Sequence, residues 1–134
     1  MVTEILVKES LSEQMISAGS DLIRRLDETG LKVSGALWFY ETDSNDWRLI
    51  IVSPDVRAKG VKTVYEEVQS VVRATPDDQS TISLKDISVV DSDDPLISLL
   101  KVAIKTDNGI SRMRFSRNMI NGTLIEDSYI YRLT

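Results

Sequence analysis

The 134-residue chain contains no histidine and no cysteine. Without histidine there is no imidazole general base and no Ser-His pair. Without cysteine there is no thiol nucleophile and no disulfide framework. An imidazole or thiolate metal centre is excluded on the same grounds, and carboxylate-held Mg²⁺ or Ca²⁺ is the one metal chemistry left. No apolar run approaches the roughly 20 residues that span a bilayer. MVTEILVKES lacks a basic segment followed by a long apolar block, so no signal peptide is read and a cytoplasmic protein, without a membrane partner, is expected. Only three prolines and six glycines punctuate the chain, so each is a positional signal.

The chain is also short of positive charge. Sixteen Lys and Arg stand against 21 Asp and Glu, a net charge of −5. That argues against a general nucleic-acid coat, which needs a basic footprint. The deficit is concentrated between Thr75 and Pro95, where Asp77, Asp78, Asp86, Asp91, Asp93 and Asp94 face Lys85 alone. A local basic face elsewhere stays open. The remaining composition, 42% hydrophobic and 28% charged, is that of one globular domain over residues 1–134.

The clearest local signal is Asn121-Gly122 inside RMRFSRNMINGTLIEDSYIY, Arg112 to Tyr131. Asn-Gly between β-prone runs predicts a two-residue type I′ hairpin, because both central residues need positive φ. Such a loop sets the register. Ile120 faces Thr123, Arg117 faces Glu126, Phe115 faces Ser128, Arg114 faces Tyr129, Met113 faces Ile130 and Arg112 faces Tyr131. Uninterrupted alternation then gives one core face with Met113, Phe115, Met119, Leu124 and Ile130, and Arg117 with Glu126 at its rim. The other face carries Arg112, Arg114, Ser116, Asn118, Asp127, Tyr129 and Tyr131. Two arginines opposite two tyrosines can be a solvated face whose guanidinium groups cover the rings. The sharper reading, after that default, is a binding face for an anion, a nucleic acid or an acidic protein patch. Arg112, Arg114, Asp127, Tyr129 and Tyr131 are therefore the candidate binding residues.

Upstream, Ser10 and Glu13 have capping-box spacing, and Leu11, Met15, Ala18, Leu22 and Leu26 recur at helical steps, predicting a helix over Ser10 to Glu28 that Gly30 ends. Gly19, mid-helix, points to close approach of another backbone. VSGALWFYET and WRLIIVS, joined by Asp43-Ser44-Asn45-Asp46, predict a hairpin apolar on both faces. It belongs at the centre of a sheet or at a subunit interface. Helical spacing resumes from about Ala58 to Thr75-Pro76. Thr81 to Val90 reads as one or two short extended segments. Asp94-Pro95 caps a third helix reaching about Lys105, with Leu96, Leu99, Leu100, Ala103 and Ile104 as its apolar stripe. The expected fold is α+β in the order α-β-β-α-β-α-β-β, a mostly antiparallel sheet of about five strands with helices packed on it.

Asp91, Asp93 and Asp94 are the best carboxylate cluster for a hard cation, but they lack an EF-hand pattern and Asp94 has a capping role. No catalytic residue, cofactor or metal site is assigned. ALWFYETDSNDWRLIIVSP, DPLISLLK and RFSRNMINGTLIEDSYIYRL resemble a family of short bacterial proteins of unknown function. The resemblance runs from the first helix to the C-terminus and implies an independent domain, with no activity to carry over. Two functional expectations follow. One is a small binding or adaptor protein acting on a protein partner, or on a second copy of itself, through a sheet face. The other is a nucleic-acid- or nucleotide-linked protein using Arg, Tyr and Asp, with phosphoryl transfer or hydrolysis as the chemistry if it is an enzyme.

Overall fold

The computed structural model describes residues 10–76 and 82–134. Expectations for Met1 to Lys8, for Asp77 and Asp78, and for the start of the Thr81 segment lie outside them. Helix α1 spans Glu13–Thr29, strand β1 Gly35–Glu41, strand β2 Asp46–Val52, helix α2 Asp55–Lys59 and helix α3 Val61–Ala74. A 3₁₀ turn at Leu84–Asp86 leads into strand β3, Ile87–Val90. Helix α4 is Pro95–Ala103, strand β4 Met113–Ile120 and strand β5 Thr123–Leu133.

Side-chain caps start α1 and α4. The Ser12 hydroxyl, not that of Ser10, accepts from the Met15 amide, so α1 starts later than the Ser10–Glu13 spacing suggests. Asp94 accepts from the amides of Leu96 and Ile97, with Pro95 behind it, as expected for α4. The segment after Pro54 holds two helices rather than one. Gly60, at φ 91°, separates α2 from α3, because a left-handed residue cannot propagate a right-handed helix.

The strands form a sheet in the order β3-β2-β1-β5-β4. β1 pairs antiparallel with β2 and β5, and β4 with β5. β3 runs parallel to β2, so the sheet is mixed rather than wholly antiparallel. The cause is α3. It carries the chain back across one face, and a strand that follows a crossover helix can re-enter the sheet parallel. β1 and β2 lie inside the sheet and are buried on both faces, as their composition predicts.

Each face has its own core. Trp38, Trp47, Leu49, Ile51 and Tyr131 pack with Leu22, Ile23 and Leu26 of α1 and Val64 and Val68 of α3. Leu37, Ile50, Val52, Ile130 and Leu133 pack with Ile97 and Leu100 of α4. Burial on this scale, at about 25 cal/mol per Å² of apolar area, drives the fold.

The last hairpin keeps the predicted turn and register, from Ile120 opposite Thr123 to Met113 opposite Ile130. Asn121 and Gly122 have φ of 49° and 82°. Its faces do not keep simple alternation, for two reasons. Arg117 takes φ 50° and drops out of the ladder, although Ser116–Asp127 and Asn118–Ile125 stay in register on either side. Beyond it the phase reverses. Ile120 and Ile125 enter the α4-side core, whereas Met119 and Leu124 are 63% and 55% exposed. Their expected place on the core face is therefore overturned. Met113, Phe115 and Ile130 do face that core, and Arg117 reaches Glu126 at 3.9 Å. The second irregularity is a β-bulge. β5 pairs Arg132 with Ala36 but Ile130 with Leu37, leaving Tyr131 as the extra residue. Ile130 and Leu133 consequently share one face although they are three apart.

Candidate functional site

Arg114 sits opposite Tyr129, as the turn requires, but its guanidinium goes elsewhere. Nε and one terminal nitrogen donate to the two Asp127 carboxylate oxygens at 2.7 and 2.6 Å. The group also lies 5.5 Å from the centre of the Trp47 ring. The cation–π partner is thus a tryptophan three strands away, on β2, rather than a tyrosine. Asp127 is 3% exposed, and a buried carboxylate needs such a fork to offset its lost hydration. The hydrogen bond to Asp127 raises the Arg114 pKa above its ordinary value, and partial burial opposes it. Arg114 and Asp127 are accordingly committed to each other.

Tyr131 is withdrawn from the surface. It is 1% exposed and lies beneath α1, its hydroxyl donating to the Ile16 carbonyl at 2.6 Å and accepting from Trp38 Nε1 at 3.1 Å. The same indole nitrogen reaches the Met15 carbonyl at 3.2 Å. Burial, the largest cause, raises the phenol's pKa far above its ordinary range. Gly19 now has a physical reason. A Cβ there would strike the Tyr131 hydroxyl and come within 2.9 Å of two ring carbons. Close approach is correct, but the neighbour is an aromatic side chain rather than backbone.

Arg112 and Tyr129 keep an open aspect. Together with the edge of Tyr131 they line a cleft of about 230 Å³ between α1 and the C-terminal strand. Ile16, Ser17, Ser20 and Asp21 contribute from α1, and Ile110 and Ser111 from the approach to β4. Tyr129 packs edge-on against Tyr131, centroids 5.3 Å apart. The structure therefore brings Arg112, Tyr129 and Tyr131 to one cleft and leaves Arg114 and Asp127 paired with each other.

A second concavity, about 350 Å³, lies where the tip of the last hairpin meets the end of β1. Phe39, Tyr40 and Leu124 give it an apolar lining, and Glu41, Asp43 and Glu126 an acidic one. Opposite Leu124 in the ladder stands Met119, also exposed.

The aspartate run divides its labour. Arg57 reaches Asp91 at 3.3 Å and contacts Asp93, while Asp94 caps α4. Attraction to Asp91 and then Asp93 raises the Arg57 pKa. Among the described residues no group of three or more acidic side chains is arranged to hold a metal ion. None of their helices is long and apolar enough to cross a membrane.

One structural residue escaped the sequence reading. Arg132, 4% exposed, donates to both Asp27 oxygens at 3.0 and 2.9 Å and to the carbonyls of Val33 and Gly109 at 3.0 and 3.1 Å. Its one signal was a lone arginine inside the apolar run IYRL. Compared with protein-family models, curated proteins and solved structures, the chain matches none.

Proposed function

We propose that this is a small binding or adaptor protein that docks a partner protein at the tip of its last hairpin, beside the end of β1. The observation that carries the reading is the outward Met119–Leu124 pair beside the Phe39 cleft. The inner side of the tip is already used, since Ile120 and Ile125 are in the core. A hairpin tip apolar on both sides has more apolar surface than its own fold consumes, and such patches mark interaction sites.

The occupant that fits is a basic segment with interspersed apolar residues. Glu41, Asp43 and Glu126 edge the cleft. A two-fold contact between copies would set these carboxylates against their own equivalents, and like charges across an interface oppose binding. Self-association is therefore less well supported than a basic partner. The nucleotide reading draws on Arg112 beside Tyr129. Their cleft of about 230 Å³ falls below the roughly 300–1,000 Å³ of drug-sized ligand pockets, which disfavours a whole nucleotide.

The test is fluorescence anisotropy with ten-residue peptides alternating leucine with lysine, serine or glutamate. The leucine–lysine peptide should bind, and the double variant Met119→Ser, Leu124→Ser should weaken it at least about tenfold with an unchanged melt. Equal binding by the variant overturns the site. Sedimentation as a dimer that this variant abolishes would replace the basic partner with a second copy.

A further inference from the structure

The α1–β5 cleft collects polar groups that the fold leaves unused. β4 and its approach carry three arginines. Arg114 is committed to Asp127 and the exposed Arg117 lies 3.9 Å from Glu126, whereas Arg112 has no hydrogen bond or ion pair among the described residues. Across the cleft, Asp21 takes Arg24 on Oδ1 alone, leaving Oδ2 without a partner among the described residues. That pair is exposed and of the i,i+3 kind, so it does not compete strongly with a second cation. The hydroxyls of Ser17, Ser20 and Ser111 also line the cleft and have no partner among the described residues. Ile16, Ile110 and the Tyr129 ring supply its apolar wall.

An unused guanidinium, an unused carboxylate oxygen and hydroxyls around an apolar wall are the chemistry of a zwitterion site. Small-ligand sites generally combine apolar walls with a few convergent polar groups. We propose that this cleft binds a small amphoteric molecule of free α-amino acid size. Arg112 takes its carboxylate through two parallel N–H donors. Asp21 takes its ammonium, the serine hydroxyls take remaining polar atoms, and its side chain rests on Ile110 and Tyr129. A doubly charged anion such as phosphate fits less well, because Asp21 would oppose it. The site uses none of the hairpin-tip residues, so it stands or falls separately from the docking surface.

The experiment is isothermal titration of the full chain with the twenty standard amino acids. The best binder's decarboxylated amine, its deaminated carboxylate and inorganic phosphate follow. One or more amino acids should bind, and the two single-charge analogues should bind at least about tenfold more weakly, since each loses one charged contact. Arg112→Gln and Asp21→Asn should each lose binding by a similar factor while melting like the parent, because Arg112 is exposed and Asp21 holds only an exposed i,i+3 pair. The proposal is overturned if no amino acid binds and the cleft holds only solvent. It is overturned equally if phosphate binds where amino acids do not, or if both variants bind as tightly as the parent.

Discussion

Asp27 and Arg132, 105 residues apart, form a two-pronged ion pair that ties the end of α1 to the end of β5. The same guanidinium donates to the carbonyls of Val33 and Gly109, so one side chain joins four segments. Arg132 is buried and Asp27 is partly exposed. Removing the carboxylate leaves a charge in the interior that only carbonyl groups can answer. Asp27→Asn should therefore cost on the order of 3 kcal/mol, near the lower end for breaking a buried pair because water still reaches Asp27. Arg132→Ala should cost at least as much. Urea unfolding of both variants measures this, and a loss below about 1 kcal/mol in each would show that the pair is incidental.

Arg112 and Arg114 look equivalent in sequence and should behave differently. Arg114→Ala strips the fork from buried Asp127, which should cost about 2–3 kcal/mol. Arg112→Ala should fall within about 0.5 kcal/mol of the parent, as for an uncommitted surface residue. Thermal melts of the two single variants decide it. Equal losses would contradict the division between a structural and a free arginine.

Tyr131 predicts an alkaline limit to stability. Its phenol pKa is raised above the ordinary 10.0 by burial. Between that value and the folded pKa the native state keeps a proton that the unfolded state has released. Stability is thus fully present below about pH 10 and falls as pH rises through that window. Tyr131→Phe should be less stable near neutrality, having lost the bonds to Trp38 and Ile16, and should show a shallower decline above pH 10. Denaturant unfolding across pH 9 to 11 measures the slopes, and parallel slopes would remove Tyr131 from the explanation. Gly19→Ala adds a crossed test. Helix propensity favours alanine by about 1 kcal/mol, but the clash with Tyr131 should make the variant net destabilised. The loss should shrink when Tyr131→Phe is also present, a coupling that a double-mutant cycle reads.

Two of the three positive-φ sites of the last hairpin, Arg117 and Gly122, should respond to substitution in the same sense. Gly122→Val places a β-branched residue at φ 82° and should cost on the order of 1–3 kcal/mol. At Arg117, φ 50°, valine should be about 1–2 kcal/mol worse than glycine. Arg117→Val can relieve its strain only by returning to extended backbone. That would flip Ile120 and Ile125 outward. If Arg117→Val melts like Arg117→Gly, the phase reversal does not depend on this residue.

The element order, the Asn121-Gly122 turn, the Asp94 cap and the central placing of β1 and β2 were legible in the sequence. All depend on local chemistry: φ preference, capping geometry and periodicity act over a few residues. Pairing across a two-residue turn likewise follows from counting. Tertiary structure decided the rest. Nothing near Arg117 in sequence announces a left-handed arginine inside a strand, since the strain is tolerated only because it sends Ile120 and Ile125 into a core built by Leu37 and α4. The bulge at Tyr131 is of the same kind. It delivers a phenol to Gly19, a distant position on α1 whose missing side chain makes the room. Sequence chose which residues could occupy the face of Arg112, Arg114, Asp127, Tyr129 and Tyr131. Only the approach of α1 and of Trp47 separated the committed from the free, because burial and ion pairing depend on what the rest of the chain brings within reach.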